Sequence, residues 1–161
     1  MTVISTTNNI DDLSFSIVAE FDADIERVWK IWEDPRQLER WWGPPTWPAT
    51  FVRHDFYSGG TCNYYMTGPD GEKARGWWLI TAVDSPGALS FDDGFADDNW
   101  EPMDDMGVTH ATVVLEDVDG RTRMTTTSRF ENVEQMQKMI EMGMEEGMGH
   151  AMGQIDALLV E

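Results

Sequence analysis

A regular succession of turn signals in the middle of the chain constrains the fold more than any other feature of the sequence. Between Trp47 and Phe130, runs rich in β-branched and aromatic residues are separated by segments that combine Gly or Pro with Asp or Ser. Strands joined by such short turns pair antiparallel. The turn segments lie at residues 58–60, 69–71, 84–87 and 117–120. They predict an antiparallel meander of six strands, at about 49–57, 61–67, 73–83, 88–95, 108–116 and 122–130.

The segment before the meander predicts one further strand and two short helices. Residues 13–21 alternate between apolar and mostly polar side chains, which is typical of a half-buried strand. Apolar residues at helical spacing then predict an amphipathic helix over about residues 24–33, namely Ile25, Val28, Trp29 and Trp32. Asp34 is placed to cap a second helix that has Pro35 at its first position, with Gln37 closing a capping box.

The last segment predicts one long helix over about residues 133–160. Its apolar stripe excludes Met139 and Met142. Gly143, Gly147 and Gly149 each cost about 1 kcal/mol relative to Ala, so the first half of the helix should be the softer one. The residues of the stripe are Ile140, Met144, Met148, Ala151, Met152, Ile155, Leu158 and Leu159.

The element order predicts an α+β fold of a single domain. A twisted antiparallel sheet of about seven strands must cover one face, and the C-terminal helix, about 40 Å long, is the element available to do so. A chain of 161 residues is long enough to bury one core without disulfides or metals. We expect a flexible polar leader over residues 1–11 and one domain over residues 12–161.

The charge of the chain excludes several classes of partner. Thirty acidic residues against 11 basic ones give a formal net charge of −19, so binding to nucleic acid or to an anionic membrane surface is not expected. No apolar run of about 18 residues occurs, and no basic segment precedes an apolar stretch at the N-terminus. We therefore expect a soluble, cytoplasmic protein. The lone Cys62 excludes an internal disulfide and any multi-cysteine metal site, and no cofactor is predicted.

A series of motifs carries a family resemblance. Residues 27–35 read RVWKIWEDP, and Leu38 is followed by the tetrapeptide WWGP at residues 41–44. Together they resemble the opening of the family named after the activator of heat-shock-protein-90 ATPase, which belongs to the START or Bet v 1-like (SRPBCC) superfamily. The chain departs from the family's pattern at Met148, where the family usually has Trp, and in its longer acidic segment over residues 92–105. Further matches follow in order at Asp55, Gly59, Gly60, Met66, residues 69–71, Gly76, Gly147, Met152, Ile155, Leu158 and Leu159.

The resemblance implies a helix-grip fold, in which the sheet curls around the C-terminal helix and leaves a cavity. Superfamily members bind hydrophobic molecules there, some as enzymes and some as carriers, and others bind a chaperone. The alternative is that the same bulky side chains are simply core. The residues expected to line a ligand cavity are Trp41, Trp42, Trp47, Tyr64, Met66, Trp78, Phe91, Met136, Ile140, Met144 and Met148.

No catalytic constellation is visible in the sequence. The three histidines, His54, His110 and His150, have no local partner spacing, although His54 and His110 both fall in predicted strands. Cys62 has no adjacent basic residue that would lower its pKa, so we expect a small buried residue rather than a nucleophile. Catalytic residues and metal ligands are therefore both predicted to be absent.

The charged residues are expected to lie on the surface. One acidic stretch lacks the ligand spacing of a calcium loop and is interpreted as a solvated loop. The alternatives are a weak cation site, a binding site for a partner, and a lid over the cavity that includes Trp100, Met103 and Met106. Arginines inside the strand runs should form exterior ion pairs, unless one points inward to hold an anionic ligand head. The acidic stretch comprises Asp92, Asp93, Asp97, Asp98, Glu101, Asp104 and Asp105, and the charges in the strand runs are Arg53 with Asp55, Arg75, Arg123 and Arg129.

The sequence therefore favours noncatalytic binding of a small hydrophobic or aromatic molecule in a central cavity. One alternative is a protein-interaction module, either a chaperone cofactor or a stress-response regulator, that acts through its acidic surface. A cyclase or hydrolase that uses the same cavity is a third class. The expected partners are a small hydrophobic ligand and, in the alternative, a chaperone, with the protein a monomer or a homodimer.

Overall fold

A computed structural model describes residues 2–103, 105 and 107–161, with only the backbone of residues 2–4. Its framework is one antiparallel sheet of eight strands, which is curled and not closed. The strands are β1 (Thr2–Asn9), β2 (Ser14–Phe21), β3 (Ala49–His54), β4 (Thr61–Thr67), β5 (Lys73–Asp84), β6 (Ala88–Ala96), β7 (Val108–Val118) and β8 (Arg121–Arg129). Their spatial order is β1-β2-β8-β7-β6-β5-β4-β3. The predicted six-strand meander, β3 to β8, is confirmed, and β2 pairs with its last strand, β8.

The N-terminal segment differs from the prediction. Residues 1–11 were expected to form a flexible leader without regular structure, whereas Thr2–Asn9 form the edge strand β1, paired along β2. The sheet therefore has eight strands rather than about seven. The Asn9 side chain accepts hydrogen bonds from the backbone N–H groups of Asp11 and Asp12 and shapes the turn that brings β2 back beside β1. Pairing with β2, rather than any alternation in its own sequence, defines this strand.

Two short helices follow β2 as predicted, namely α1 (Ile25–Glu33) and α2 (Pro35–Leu38). Asp24 caps α1 by accepting a bond from the Arg27 N–H, and Asp34 caps α2 through the Arg36 N–H. The predicted capping box takes a different form. The Asp34 N–H, which Gln37 would accept from in a capping box, already donates to the carbonyl oxygen of Lys30 at the end of α1. Gln37 instead donates to the Asp34 carboxylate at 3.1 Å.

The C-terminal segment is helical, but it is not the one long helix that was predicted. It is divided into α3 (Val133–Glu141), α4 (Met144–Met152) and α5 (Ile155–Leu159). The first break falls at Gly143, whose φ of +84° lies in the left-handed region that side chains with a Cβ rarely adopt. The second break falls at Gly153, which ends α4. Both breaks therefore coincide with glycines.

The core lies between the inner face of the sheet and the helices. Every second residue of β2 and β8 is buried, and the helices contribute Trp32, Met136, Met152, Ile155 and Leu158 to the same core. In the part of the chain that the structure describes, no helix is long and apolar enough to cross a membrane.

Candidate ligand cavity

A cavity of about 320 Å³ lies between the inner face of the sheet and the C-terminal helices α3 and α4. Its wall is mainly apolar, and its volume is at the lower end of the range of about 300–1,000 Å³ that is typical of small-molecule sites. The sheet and the loop after α2 contribute Trp41, Trp42, Pro44, Tyr64, Met66, Phe91, Asp93, Gly94, Phe95, Thr109, Ala111, Thr126 and Ser128. The helical side contributes Met139, Met142, Gly143, Met144, Gly147, Met148, Ala151 and Met152.

The structure brings most of the predicted ligand-binding residues to this cavity. The predicted residues that line it are Trp41, Trp42, Tyr64, Met66, Phe91, Met144 and Met148. The other four are not among the lining residues. Trp78 is fully buried behind the wall and stacks on Phe91 with ring centroids 4.0 Å apart, and Met136 is fully buried in the core. Trp47 packs near Gly68, and Ile140 is 38% exposed.

Trp42 is the centre of the aromatic wall. Its ring meets Trp78 edge to face with centroids 4.8 Å apart, and it makes similar contacts with Trp41, Tyr64 and Phe91 at 5.7–6.2 Å. Edge-to-face contacts of this kind stabilise an aromatic cluster by about 0.5–1.5 kcal/mol per pair beyond burial. The rings of the wall therefore hold one another in place by direct contacts. The Trp42 indole N–H is buried without a hydrogen-bond partner among the described residues.

The break between α3 and α4 changes which methionines line the cavity. When residues 133–160 are projected as one continuous helix, Met139 and Met142 fall outside the apolar stripe and Ile140 falls within it. At Gly143 the chain leaves helical geometry, and the cavity lining contains Met139 and Met142 while Ile140 is partly exposed. With Met144 and Met148, the helical side of the cavity is lined by flexible, polarizable side chains that adapt to irregular ligand shapes.

Asp93 and Tyr64 form the polar pair of the cavity. Tyr64 on β4 donates a 2.9 Å hydrogen bond to Oδ1 of Asp93 on β6. Removal of the carboxyl from bulk water disfavours its charge and raises the pKa of Asp93 to about 7, although the bond from Tyr64 acts in the opposite direction. Burial and the neighbouring Asp93 raise the pKa of Tyr64 well above its usual value, so its hydroxyl stays protonated. The cavity therefore contains a carboxyl that titrates near neutral pH.

Hydroxyl side chains from β7 and β8 complete the polar groups of the wall. Thr109, Thr126 and Ser128 all line the cavity. Thr126 is 4% exposed, and its hydroxyl has no hydrogen-bond partner among the described residues. A buried hydroxyl without a partner costs about 1–3 kcal/mol, which a bound molecule or water at this position offsets.

Sequence reasoning missed the polar groups, although an alternation marks them. Asp93 was assigned to a solvated acidic stretch, but Leu89 and Phe91 are buried and Phe95 lines the cavity, so the odd-numbered positions of β6 face inward. Asp93 shares that face. The same alternation places Thr126 and Ser128 on the inner face of β8 beside Met124. The charge of the stretch around Asp93 concealed this pattern.

His54 and His110 do not meet. His54 bonds the Trp32 carbonyl oxygen at 3.1 Å and Cys62 Sγ at 3.3 Å, and burial lowers its pKa, so a neutral ring donates to Trp32 and accepts from the thiol. Burial raises the pKa of the fully buried Cys62 to about 12, which opposes thiolate formation. His110 pairs instead with Asp92 on the outer face of β6. Among the described residues, no group of three or more His, Cys, Asp or Glu side chains is placed to hold a metal ion.

The rest of the acidic stretch is organised by local contacts. Asp97 accepts bonds from the Asn99 and Glu101 N–H groups, and Asp98 pairs with Arg75 at 2.9 Å. Trp100 and Met103, considered as part of a lid, are not among the residues that line the cavity. Asp104 and Met106 lie outside the described residues.

Three of the four arginines of the strand runs form ion pairs outside the cavity. Arg53 pairs with Asp55 at 2.6 Å, and Arg123 pairs with Glu20 at 3.1 Å. Arg129 is exposed at the end of β8. No arginine or lysine is found among the described residues that line the cavity, so the alternative of an inward arginine that holds an anionic ligand is not realised.

A curled antiparallel sheet that packs on C-terminal helices and leaves a cavity between them defines a helix-grip, Bet v 1-like protein. The chain belongs to the family of activator of Hsp90 ATPase homolog 1-like proteins, whose family model matches residues 22–160. The resemblance inferred from the motifs of the first helices is thereby confirmed.

Solved structures of similar proteins agree with this assignment. The chain is 67% identical to a protein from Arthrobacter aurescens, with a TM-score of 0.95 over 99% of this chain and 92% of that chain. It is 47% identical to a protein from Mycobacterium smegmatis, with a TM-score of 0.90 over 98% of this chain and 96% of that chain. An AHSA1 protein from Silicibacter pomeroyi, 22% identical over 91% of this chain and 97% of that chain, shares the fold with a TM-score of 0.74. No relative was found among curated proteins.

Proposed function

We propose that this protein binds a small hydrophobic or aromatic molecule, without transforming it, in the cavity between the sheet and helices α3 and α4. The observation that carries the proposal is the cavity of about 320 Å³, one side of which is the aromatic wall around Trp42. Burial of apolar surface drives such binding at about 25 cal/mol per Å². A ligand that buries about 200 Å² of apolar surface gains roughly 5 kcal/mol before the cost of association.

The two sides of the cavity suit a ligand in different ways. Trp42 and Phe91 offer rigid flat faces, whereas Met144 and Met148 on the helix adapt to the outline of the ligand. Asp93 and the hydroxyl groups supply the few polar contacts that fix the orientation of a molecule in an otherwise apolar site.

Native mass spectrometry of gently purified protein is the first test. A mass above that of the chain, released as a small molecule in the denatured spectrum, supports the proposal and gives the chemical class of the ligand. The neutral dye N-phenyl-1-naphthylamine supplies a probe if the purified protein carries nothing, because its fluorescence rises in an apolar site.

A matched pair of variants on α4 tests whether the dye binds in the cavity. Gly147 lines the cavity and Gly149 does not, and an added Cβ meets no atom within 4 Å at either position. The proposal expects Gly147→Leu to fill part of the cavity and to weaken dye binding at least fivefold, while Gly149→Leu leaves binding unchanged. Equal binding by both variants and the unmodified protein contradicts the proposed location.

A chaperone cofactor is the second candidate function, and membership of a family described by activation of Hsp90 ATPase favours it. Its test is the ATP hydrolysis rate of a purified Hsp90-type chaperone with and without this protein. Asp98→Asn and Asp105→Asn are suitable surface variants, because Asp97 holds the backbone of its own turn and its loss changes the fold locally. Activation that these variants reduce favours the interaction module.

An enzyme is the third candidate function. Of the features of the cavity, the Asp93 carboxyl is the one that favours it. A group with a pKa of about 7 is suited to general acid–base catalysis near neutral pH. Tyr64, the other titratable group among the described lining residues, stays protonated there, so it can donate a proton or a hydrogen bond but gives Asp93 no second base to work with. Turnover of the molecule identified by mass spectrometry, lost in Asp93→Asn, is the result that favours an enzyme.

A further inference from the structure

The charged chemistry of the cavity is acidic, with no basic side chain among the described residues that line it. Asp93 is the one acidic side chain among the described residues that line it, and no lysine, arginine or histidine is among them. Asp93 Oδ1 accepts the bond from Tyr64, and no described residue donates to Oδ2. Asp93 therefore lines the cavity with one carboxylate oxygen to which no described residue donates.

Thr109 is the polar neighbour of Asp93 on the adjacent strand. Asp93 and Thr109 are directly opposite each other in the β6–β7 ladder, and both line the cavity. Side chains that are directly opposite on one face of an antiparallel pair have Cβ atoms about 4.5–5.5 Å apart. A single nitrogen atom that carries two or three N–H groups can donate to both side chains at once.

We propose that the ligand is a lipophilic amine, in which a protonated nitrogen is held by Asp93 and Thr109 and an aromatic or aliphatic body lies against Trp42, Phe91 and the helix methionines. This inference rests on the proposed function and adds the chemical class of the ligand. It expects fatty acids and other hydrophobic anions to bind weakly above pH 7, because a second negative charge placed beside the ionised Asp93 has no basic group to offset it.

The charge distribution of the whole chain favours the same class. A formal net charge of −19 attracts cations and repels anions as they approach the protein. Aromatic faces also attract cations that lie over the ring, and the cavity contains the rings of Trp41, Trp42 and Phe91. Both effects apply to a protonated amine and to no anionic ligand.

Three probes that share one ring system test the proposal, namely 1-naphthylmethylamine, 1-naphthalenemethanol and 1-naphthoate. Their binding is measured at pH 8 and 150 mM salt by displacement of N-phenyl-1-naphthylamine and by calorimetry. The proposal expects the amine to bind at least tenfold more tightly than the alcohol, and the acid to bind more weakly than either.

Asp93→Asn and Asp92→Asn are the matched variants. They remove the same formal charge from adjacent residues of β6, but Asp93 lines the cavity and Asp92 pairs with His110 on the outer face. We expect Asp93→Asn to weaken amine binding at least tenfold and to change alcohol binding less than threefold. Asp92→Asn should leave both unchanged, which separates a contact in the cavity from the general attraction of an acidic protein.

The pH dependence of binding gives a test that needs no variant. Asp93 has a pKa of about 7, and Tyr64, which remains protonated over this range, is the other titratable side chain that contacts it. β7 and β8 contribute only hydroxyl and apolar groups to the cavity, and the helices contribute methionines, glycines and alanine. Amine affinity should rise by up to tenfold per pH unit between pH 5 and 7 and level off above, whereas alcohol affinity should not change.

The possible results separate this inference from the proposed function. If none of the probes, including the neutral dye, binds, both are overturned. If the alcohol or the acid binds as tightly as the amine, or if Asp93→Asn leaves amine binding unchanged, the cavity binds ligands but the amine assignment is wrong. A preference for the amine that Asp93→Asn abolishes and Asp92→Asn retains supports it.

Discussion

Gly76 lies directly opposite Tyr64 in the β4–β5 ladder, and the Tyr64 ring occupies the space that a side chain at residue 76 would need. A Cβ built on Gly76 would come within 2.5 Å of the Tyr64 hydroxyl oxygen. Because β5 lies between β4 and β6, Tyr64 must cross β5 to reach Asp93. The glycine is what allows a tyrosine on one strand to bond a carboxyl two strands away.

Gly76→Ala should therefore displace Tyr64 and break its bond to Asp93. We expect a loss of roughly 1–3 kcal/mol in the free energy of unfolding, as for other insertions into a packed core. Urea unfolding measures the loss. Gly87→Ala is the control, because a Cβ there meets backbone oxygens only at 3.9 Å, an ordinary contact. A Gly76→Ala protein as stable as the Gly87→Ala protein would show that Tyr64 is not held in this position.

Asp93→Asn should make the stability of the protein less dependent on pH. The folded protein raises the pKa of this carboxyl from 3.8 to about 7, so it binds more protons than the unfolded chain between these values. Stability contributed by such a group is present at low pH and is lost as the pH rises through 7. Asparagine has no proton to lose, so the variant should approach the unmodified protein in stability near pH 4 and exceed it by roughly 4 kcal/mol above pH 7.

Chemical unfolding at pH 4, 6 and 8 checks this prediction. The surface carboxylates titrate in both proteins, so the difference between the two unfolding free energies isolates residue 93. Asp92→Asn again serves as the control, because Asp92 lies on the outer face and pairs with His110. A difference between Asp93→Asn and the unmodified protein that stays constant with pH would mean that Asp93 titrates near its ordinary value.

Local patterns explain why much of the fold could be predicted. Turn residues mark the ends of strands in the meander. For example, β4 occupies Thr61–Thr67, between the turn signals at residues 58–60 and 69–71. Asp34 and Pro35 mark the boundary between α1 and α2 in the same local way, through a cap and a fixed φ. These elements are specified by residues that lie within a few positions of one another.

The errors occurred where distant residues decide the structure. β1 is polar and gains its definition from pairing with β2, which no pattern within residues 2–9 reveals. Asp93 was interpreted through the charge of its neighbours, although its environment is set by Tyr64, which is 29 positions earlier in the chain. Met139 and Met142 line the cavity on the α3 side of a helix break at Gly143, whose positive φ a uniform helical projection does not include.

Cys62 should be almost unreactive in the folded protein. Its side chain is fully buried, its pKa is raised to about 12, and its neighbour His54 is held neutral by burial. At pH 8 the thiolate fraction is then roughly 1,000-fold lower than for an ordinary thiol, before steric protection is considered. Iodoacetamide labelling followed by mass spectrometry measures the rate, with protein in guanidinium chloride as the control. Rapid stoichiometric labelling of the native protein would contradict this description of the site.

Gly143 and Gly149 should respond oppositely to the same substitution. Gly143 has a φ of +84° between α3 and α4, where alanine is strained, whereas Gly149 lies inside α4 with open space around a built Cβ. We expect Gly143→Ala to lower the free energy of unfolding by about 1 kcal/mol, and Gly149→Ala to raise it by up to about 1 kcal/mol through better helix propensity.

The two variants also differ in their expected effect on ligand binding. Gly143 sets the direction in which Met142 and Met144 enter the cavity, so a change in its backbone should weaken binding of N-phenyl-1-naphthylamine. Gly149 is outside the cavity lining, so Gly149→Ala should leave binding unchanged. If Gly143→Ala raised stability as Gly149→Ala does, α3 and α4 would favour one continuous helix. Met139 and Met142 would then leave the cavity, and Ile140 would take the inward position that the helical periodicity of the sequence predicts for it.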